Sequence, residues 1–296
     1  MIITCDMCEF HSRYARFFEA VMRRVAVTTA LWQSVGFAHG VLNTDNVSIL
    51  GLTVDYGPFR FADEFDEHMT PNFSDDEHRY SYSRQPAVME ESLRHLLTAL
   101  SNLMTAEEYR DAENALKSYK AVYHQEYMRA FRPKIGLSAI GNADDDEILI
   151  SQLLSVMSDQ KADFTATFRQ LSDISLPALI KRKSKDIERL PWALQQLVQH
   201  SSFSSWLRRY AEHLKKAGVS DSERRSVMSR ANPHYVLRNW MAQQAIDRAE
   251  ADDFSTIHSI QTVLRRPFEK QAIAELMGYS SRPPLWSRNI TVSCSS

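Results

Sequence analysis

The sequence predicts a mainly α-helical fold carrying one short β-hairpin. Glycine is sparse, at 8 of 296 residues, which disfavours a strand-and-turn architecture. Apolar residues recur at helical spacing, beginning with Phe17, Phe18, Val21, Val25, Trp32 and Val35. The main strand-like run, Val47 to Val54, is interrupted at Gly51.

The first helix runs from Tyr14 to Val35, and Gly36 is a suitable stop for it. Val47–Leu50 and Leu52–Val54 then read as two short strands around Gly51. A tight hairpin draws its outer ends together, so Asn46 and Asp55 are expected to converge. Residues 60–86 are polar with few periodic apolar positions, and a loop of that length in a compact domain is usually functional or mobile. From Ala87 the helical spacing resumes with Leu93, Leu96, Leu97 and Leu100, then Tyr109, Leu116, Tyr119 and Tyr123, and continues through Met128. The acidic stretch Asn142–Glu147 suits the start of a further helix. Two units follow from this, 1–140 and 141–296, the second mostly helices joined by short polar turns.

Charge separates few function classes. The 35 basic residues nearly cancel the 37 acidic ones, without the basic excess of a general nucleic-acid binder. No run approaches the ~18 apolar residues needed to span a bilayer, and MIITCDMCEF lacks the parts of a signal peptide. Cys5, Cys8 and Cys294 do not make a disulfide framework and fit a reducing compartment. Cys5 and Cys8, with His11 near, lack the second ligand pair of a zinc site.

The chemistry concentrates in HGVLNTDNVSILGLTVDYGPF, residues 39–59. Alone, Asn-Thr-Asp-Asn and Asp-Tyr-Gly-Pro are ordinary turn sequences. Together they follow a kinase-like pattern, in which a loop H-x-D-x-x-x-x-N precedes a hairpin ending in an Asp-aromatic-Gly turn. His39, Asn46 and Asp55-Tyr56-Gly57 fit that pattern; Val41 replaces the loop aspartate. Asp45 keeps a carboxylate in the loop, as candidate base or acceptor-positioning group. Asn46 and Asp55 offer oxygen ligands suited to magnesium on nucleotide phosphates.

The stretch GFAHGVLNTDNVSILGLTVDYGPF, with NPHYVLRNWMAQQAI (Asn232–Ile246), RPPLW (Arg282–Trp286) and the terminal Cys-Ser-Ser, resembles the selenoprotein O family of protein-adenylylating pseudokinases. The resemblance runs from about Tyr14 to the end. It implies a kinase-like C-lobe with a helical extension, and transfer of AMP from a reversed ATP to Ser, Thr or Tyr hydroxyls of proteins. It also implies Asp45 as proton acceptor, Asn46 and Asp55 as ligands of magnesium (or manganese), and Asp55 as a nucleotide contact. His39 becomes a loop anchor. The family places such a chain in the cytoplasm of bacteria or in mitochondria, with any targeting segment upstream.

The chain departs from the family in two respects. It enters the resemblance only ~30 residues before the loop, and the N-lobe's Gly-rich segment, ATP-binding lysine and phosphate-holding arginines are not found. Weak or absent ATP binding is the expectation for these residues alone. Pro71 stands where family members often carry a cysteine able to pair with the C-terminal one, which argues against redox gating through Cys294. Two other readings are a non-catalytic helical interaction module and a kinase-like phosphotransferase, the latter disfavoured by Val41. Lys181–Lys185 reads as a solvated basic run, and Asn232–Gln244 as a buried packing element whose Arg238 pairs with a loop carboxylate. Trp286 is expected to anchor the tail by burying its ring.

Overall fold

The computed structural model of the chain describes residues 13–138, 143–181 and 184–293. Cys5, Cys8, Cys294 and, within the basic run, Arg182 and Lys183 therefore lie outside the described residues. The architecture is mainly helical. In order it comprises α1 (Arg13–Ser34), β1 (Phe37–Ala38), β2 (Arg60–Phe61), α2 (Gln85–Leu100), α3 (Ala106–Lys117) and α4 (Tyr119–Lys134). It continues with α5 (Ala143–Asp159), α6 (Phe164–Asp173), α7 (Leu176–Lys181), α8 (Trp192–Leu197) and α9 (Ser201–Lys216), then α10 (Asp221–Ala231), α11 (Asn239–Ala249), α12 (Ser255–Leu264) and α13 (Ala272–Leu276).

Helix α1 forms as its spacing dictates. Phe18, Val21, Met22, Val25, Ala26 and Trp32 are buried on one stripe that packs against α2, α3 and α4. Gly36, at φ +67°, adopts the left-handed conformation that ends the helix without a Cβ penalty. Capping boxes start α3 (Thr105 with Glu108) and α10 (Ser220 with Glu223), each pairing two backbone N–H groups that the helix leaves open. Along α4 the rings of Tyr119, Tyr123, Tyr127 and Phe131 follow one another at four-residue intervals, with centroids 6.3, 5.9 and 4.4 Å apart.

Three apolar clusters result. The first joins α1, α2, α3 and the start of α4. The second joins the end of α4 to α5, α6, α7, α8, α9 and Met228 of α10, and includes Ala38, Phe65 and Tyr82 from the loops around the motif. Phe131 and Ile135 pack there with Leu149 and Leu153, so the apolar interior is continuous across residue 140. The third is a small cluster of α11, α12 and α13 built on Trp240, Met241 and Val263.

The expected hairpin is reduced. Only one isolated antiparallel bridge, Val47 to Thr53, forms between the two predicted strands, and the regular ladder is β1 with β2, pairing Phe37 with Phe61 and Ala38 with Arg60. The cause is competition from α1 and from local turns. Thr28 Oγ1 donates to the Gly51 carbonyl (2.6 Å), Trp32 Nε1 donates to Thr53 Oγ1 (2.8 Å), and Gly51 N–H turns back to Ser48 O (3.0 Å). The carbonyl and N–H of Gly51, committed to the helix and to a turn, are lost to a ladder, while Thr53 is tied to α1 through its side chain.

Candidate active site

Strand β1 carries the chain from Gly36 straight into the loop His39–Asn46, and buried Gln85 at the start of α2 fixes the loop's entrance. Its Nε2 donates to Phe37 O (2.9 Å) and its Oε1 accepts from His39 N–H (2.9 Å). His39 is buried, with Nε2 2.8 Å from the carbonyl of Val54 and Nδ1 3.4 Å from Val41 N–H. A carbonyl only accepts and a backbone N–H only donates, so Nε2 carries the hydrogen and Nδ1 is bare. Burial lowers the imidazole pKa, against smaller raising effects of the Val54 hydrogen bond and the Asp55 charge, and the ring is neutral. His39 is thus a strut between the loop and the residue before Asp55.

Gly40 completes the junction. At φ +87° it is left-handed, and a Cβ there would lie 2.5 Å from the carbonyl oxygen of Pro58. The loop and the Asp-Tyr-Gly-Pro turn therefore touch backbone to backbone.

Asp45 sits in the 3₁₀ turn Thr44–Asn46 and is exposed, with no partner for its carboxylate among the described residues. Asn46 Nδ2 donates to Val41 O (3.2 Å), which turns the amide oxygen away from that carbonyl. The Val47–Thr53 bridge brings Asn46 and Val54 to the same end, with Asp55 next in the chain. Asp55 is exposed and holds φ +54°, a left-handed conformation uncommon outside glycine, with its carbonyl accepting from Gly57 N–H (2.8 Å). Among the described residues no three His, Cys, Asp or Glu side chains gather as a cation site. One free carboxylate and one outward amide oxygen still fit magnesium, a hard ion that keeps waters and takes its other ligands from substrate phosphates.

The segment after Asp55 is gripped by the C-terminal half. Asn239 Nδ2 donates to Phe59 O (3.0 Å) and Arg60 Nη2 to Ile290 O (3.3 Å). Phe65 N–H donates to Ala162 O (2.8 Å) and Phe164 N–H to Ala62 O (3.2 Å). Arg238 finds its loop carboxylate in Asp63, and it also holds Asp163 at 2.6 and 3.1 Å. Asp163 in turn caps α6 by accepting from Ala166 N–H (2.7 Å). Burial raises the Asp63 pKa, with Arg238 opposing. Further along, Asn72 pairs in parallel with Val292, and Phe73 N–H donates to Val292 O (2.9 Å). This bridge holds the tail. Trp286 does not bury its ring as expected, being 42% exposed, because the tail gains its hold through backbone pairing.

Sequence reasoning missed Gln85 and Asn239. Gln85 precedes Pro86 and reads only as a helix start; its real partners lie 46 and 48 residues away. Its burial is the signal that reveals it.

Comparison with known proteins supplies the context. A family model described as protein adenylyltransferase SelO matches residues 5–265. A protein nucleotidyltransferase YdiU of Myxococcus xanthus (strain DK1622) is 42% identical over 285 residues, covering 96% of this chain and 55% of the relative. Its counterpart in Pseudomonas fluorescens (strain Pf0-1) is 38% identical over 284 residues, with the same two shares. The chain thus spans about half the length of the curated relatives it matches. With its loop, its Asp55 turn and Arg238 all inside the matched residues, the chain belongs to the SelO family of protein adenylyltransferases.

Proposed function

We propose that this chain is the kinase-like C-terminal portion of a protein adenylyltransferase, its loops on residues 1–140 and its helical extension on 141–296. The observation that carries this reading is the His39–Val54 contact, with Gly40 against Pro58, which locks the Asp45–Asn46 loop to the Asp55 turn. In the reaction, the oxygen of an acceptor Ser, Thr or Tyr attacks the α-phosphorus of ATP. The new O–P bond forms as the bond to the β-phosphate oxygen breaks, and pyrophosphate leaves. Asp45, exposed and unpartnered, takes the hydroxyl proton. Asn46 and Asp55 would hold magnesium, which would supply charge neutralisation to the phosphates. The Asp55 carboxylate is exposed and available as a ligand.

Leu50, Leu52 and Tyr56, each more than half exposed, form an apolar face beside the Asp55 turn. Isolated apolar side chains need no explanation, but a patch beside a candidate site suggests a covering surface. The part of the curated relatives that this chain does not span is the natural cover. The test incubates the chain with α-labelled and, separately, γ-labelled ATP and protein acceptors, with and without the remaining half of a relative supplied in trans. Label from α alone supports adenylylation; label from γ alone supports a phosphotransferase; no label under either condition supports an interaction module. One observation favours that last reading, an apolar groove of about 880 Å³ between α11 and α12 with Ile246 and Ile257 at its surface.

A further inference from the structure

A pocket of about 300 Å³ opens among four parts of the chain: residues 60–64 after the metal turn, the α5–α6 connection, α8, and residues 282–288. Its carboxylates are already committed. Asp63 and Asp163 share Arg238, and Glu64 pairs with Arg288 at 2.5 Å. Two cations, Lys161 and Arg282, remain on the walls with no ion pair among the described residues, and a third, Arg60, has no carboxylate within ion-pair distance although its charge acts on Asp63. Arg60 donates to one backbone carbonyl only, and the guanidinium of Arg282 lies 5.6 Å from the centre of the Trp192 ring. Stacking on an aromatic face leaves the in-plane N–H groups of a guanidinium open to a ligand.

Lys161 adds a separate observation. Its N–H donates to Ser158 O (3.0 Å) while Ala162 N–H reaches back to Met157 O (2.9 Å), the paired bonds that close a helix through a left-handed residue. Lys161 occupies that left-handed position at φ +46°. Glycine is the residue that suits it, and a long side chain there carries backbone strain. A lysine also gains from the α5 C-terminal dipole, but any basic residue a turn earlier has that gain without the strain.

We propose that this pocket binds a compact tetrahedral oxyanion of the phosphate type, held by Lys161 and Arg282 with Arg60 as a third cation. The site is separate from Asp45, Asn46 and Asp55 and does not depend on the transfer reaction. The guanidinium fork and the ammonium together match phosphate oxygens in charge and geometry.

The experiment uses the full 296-residue chain, with inorganic phosphate and pyrophosphate as separate probes and sodium chloride at matched ionic strength as the control. Either probe should raise the unfolding temperature of the wild-type chain beyond the chloride control. Lys161→Gly should fold with an equal or higher unfolding temperature in the absence of anion, and calorimetry should show its affinity for the probe weakened about tenfold or more. Arg282→Ala should lose the response likewise, and Asp55→Ala should keep it. Affinity within about twofold of wild type in Lys161→Gly overturns the proposal. A wild-type chain that responds to neither probe beyond chloride overturns it too. Loss of the response in Asp55→Ala also overturns it, because the anion then sits in the candidate active site.

Discussion

The guanidinium of Arg238 and the carboxylate of Asp63, 175 positions apart in the chain, meet beside Asp163 in the protein interior. This buried cluster fastens the segment following the Asp55 turn to the N-termini of α6 and α11. Removing its cation leaves two carboxylates without their partner, one of them almost wholly buried. Arg238→Met should therefore cost about 3–5 kcal/mol in urea unfolding, the range for breaking a buried pair from one side. Arg238→Lys should lose less, since it keeps the charge but not the two-point hold on Asp163.

Gln85→Ala tests the loop entrance. The substitution strips partners from His39 N–H and Phe37 C=O, both buried, at about 1–3 kcal/mol for each group left unsatisfied. Amide hydrogen exchange at His39 should accelerate more than the global loss of stability explains. Exchange at His39 no faster than that would show that the glutamine is not its strut.

Backbone strain and chemistry separate at Asp55. Both Asp55→Ala and Asp55→Gly remove the carboxylate and should abolish transfer of α-label. Only glycine suits φ +54°, so Asp55→Gly should be more stable than Asp55→Ala by about 1 kcal/mol in denaturant titration. Equal stabilities would mean that the left-handed turn is not kept in solution.

Lys134 provides a pH signature. Its ammonium is buried, bonds Asn232 Oδ1 at 2.8 Å and lies 4.6 Å from the centre of the Phe168 ring, and burial lowers its pKa from 10.5 to about 7. Between those values the unfolded chain holds a proton that the folded chain has released, so this residue makes stability rise with pH from about 7 to 10.5. The slope from one proton is at most about 1.4 kcal/mol per pH unit. Lys134→Met should flatten the stability profile across that window, as followed by urea unfolding at a series of pH values.

Local features were legible in the sequence. The stripe of α1, its stop at Gly36 and the turn chemistry around Asp45 and Asp55 all depend on neighbours within a few positions. The hairpin is shorter than the β-branched residues at Val47 and Val54 predict, because Thr28 of α1 and the turn at Ser48 take the backbone hydrogen bonds of Gly51. Arg238 was marked as a pairing residue, but Asp63 and Asp163 were two carboxylates among many. Side-chain character alone points to a buried ring at Trp286, whereas the tail is held by main-chain groups of Asn72, Phe73 and Val292 together with Arg60 and the Glu64–Arg288 pair.

The grip on residues 59–65 also sets an order of events during synthesis. Asp55 and its turn leave the ribosome well before Arg238, Asn239 and Ile290, which are made some 175 to 230 positions after their partners. Contacts of such wide separation form late, once loop closure has been overcome. The nascent chain can build α1, the Asp45 loop and the His39–Val54 contact from nearby residues, yet the segment 59–65 is secured only once α11 and Ile290 have been made. A ribosome that stops short of α11 releases a chain with the motif intact in sequence and the segment after Asp55 unsecured.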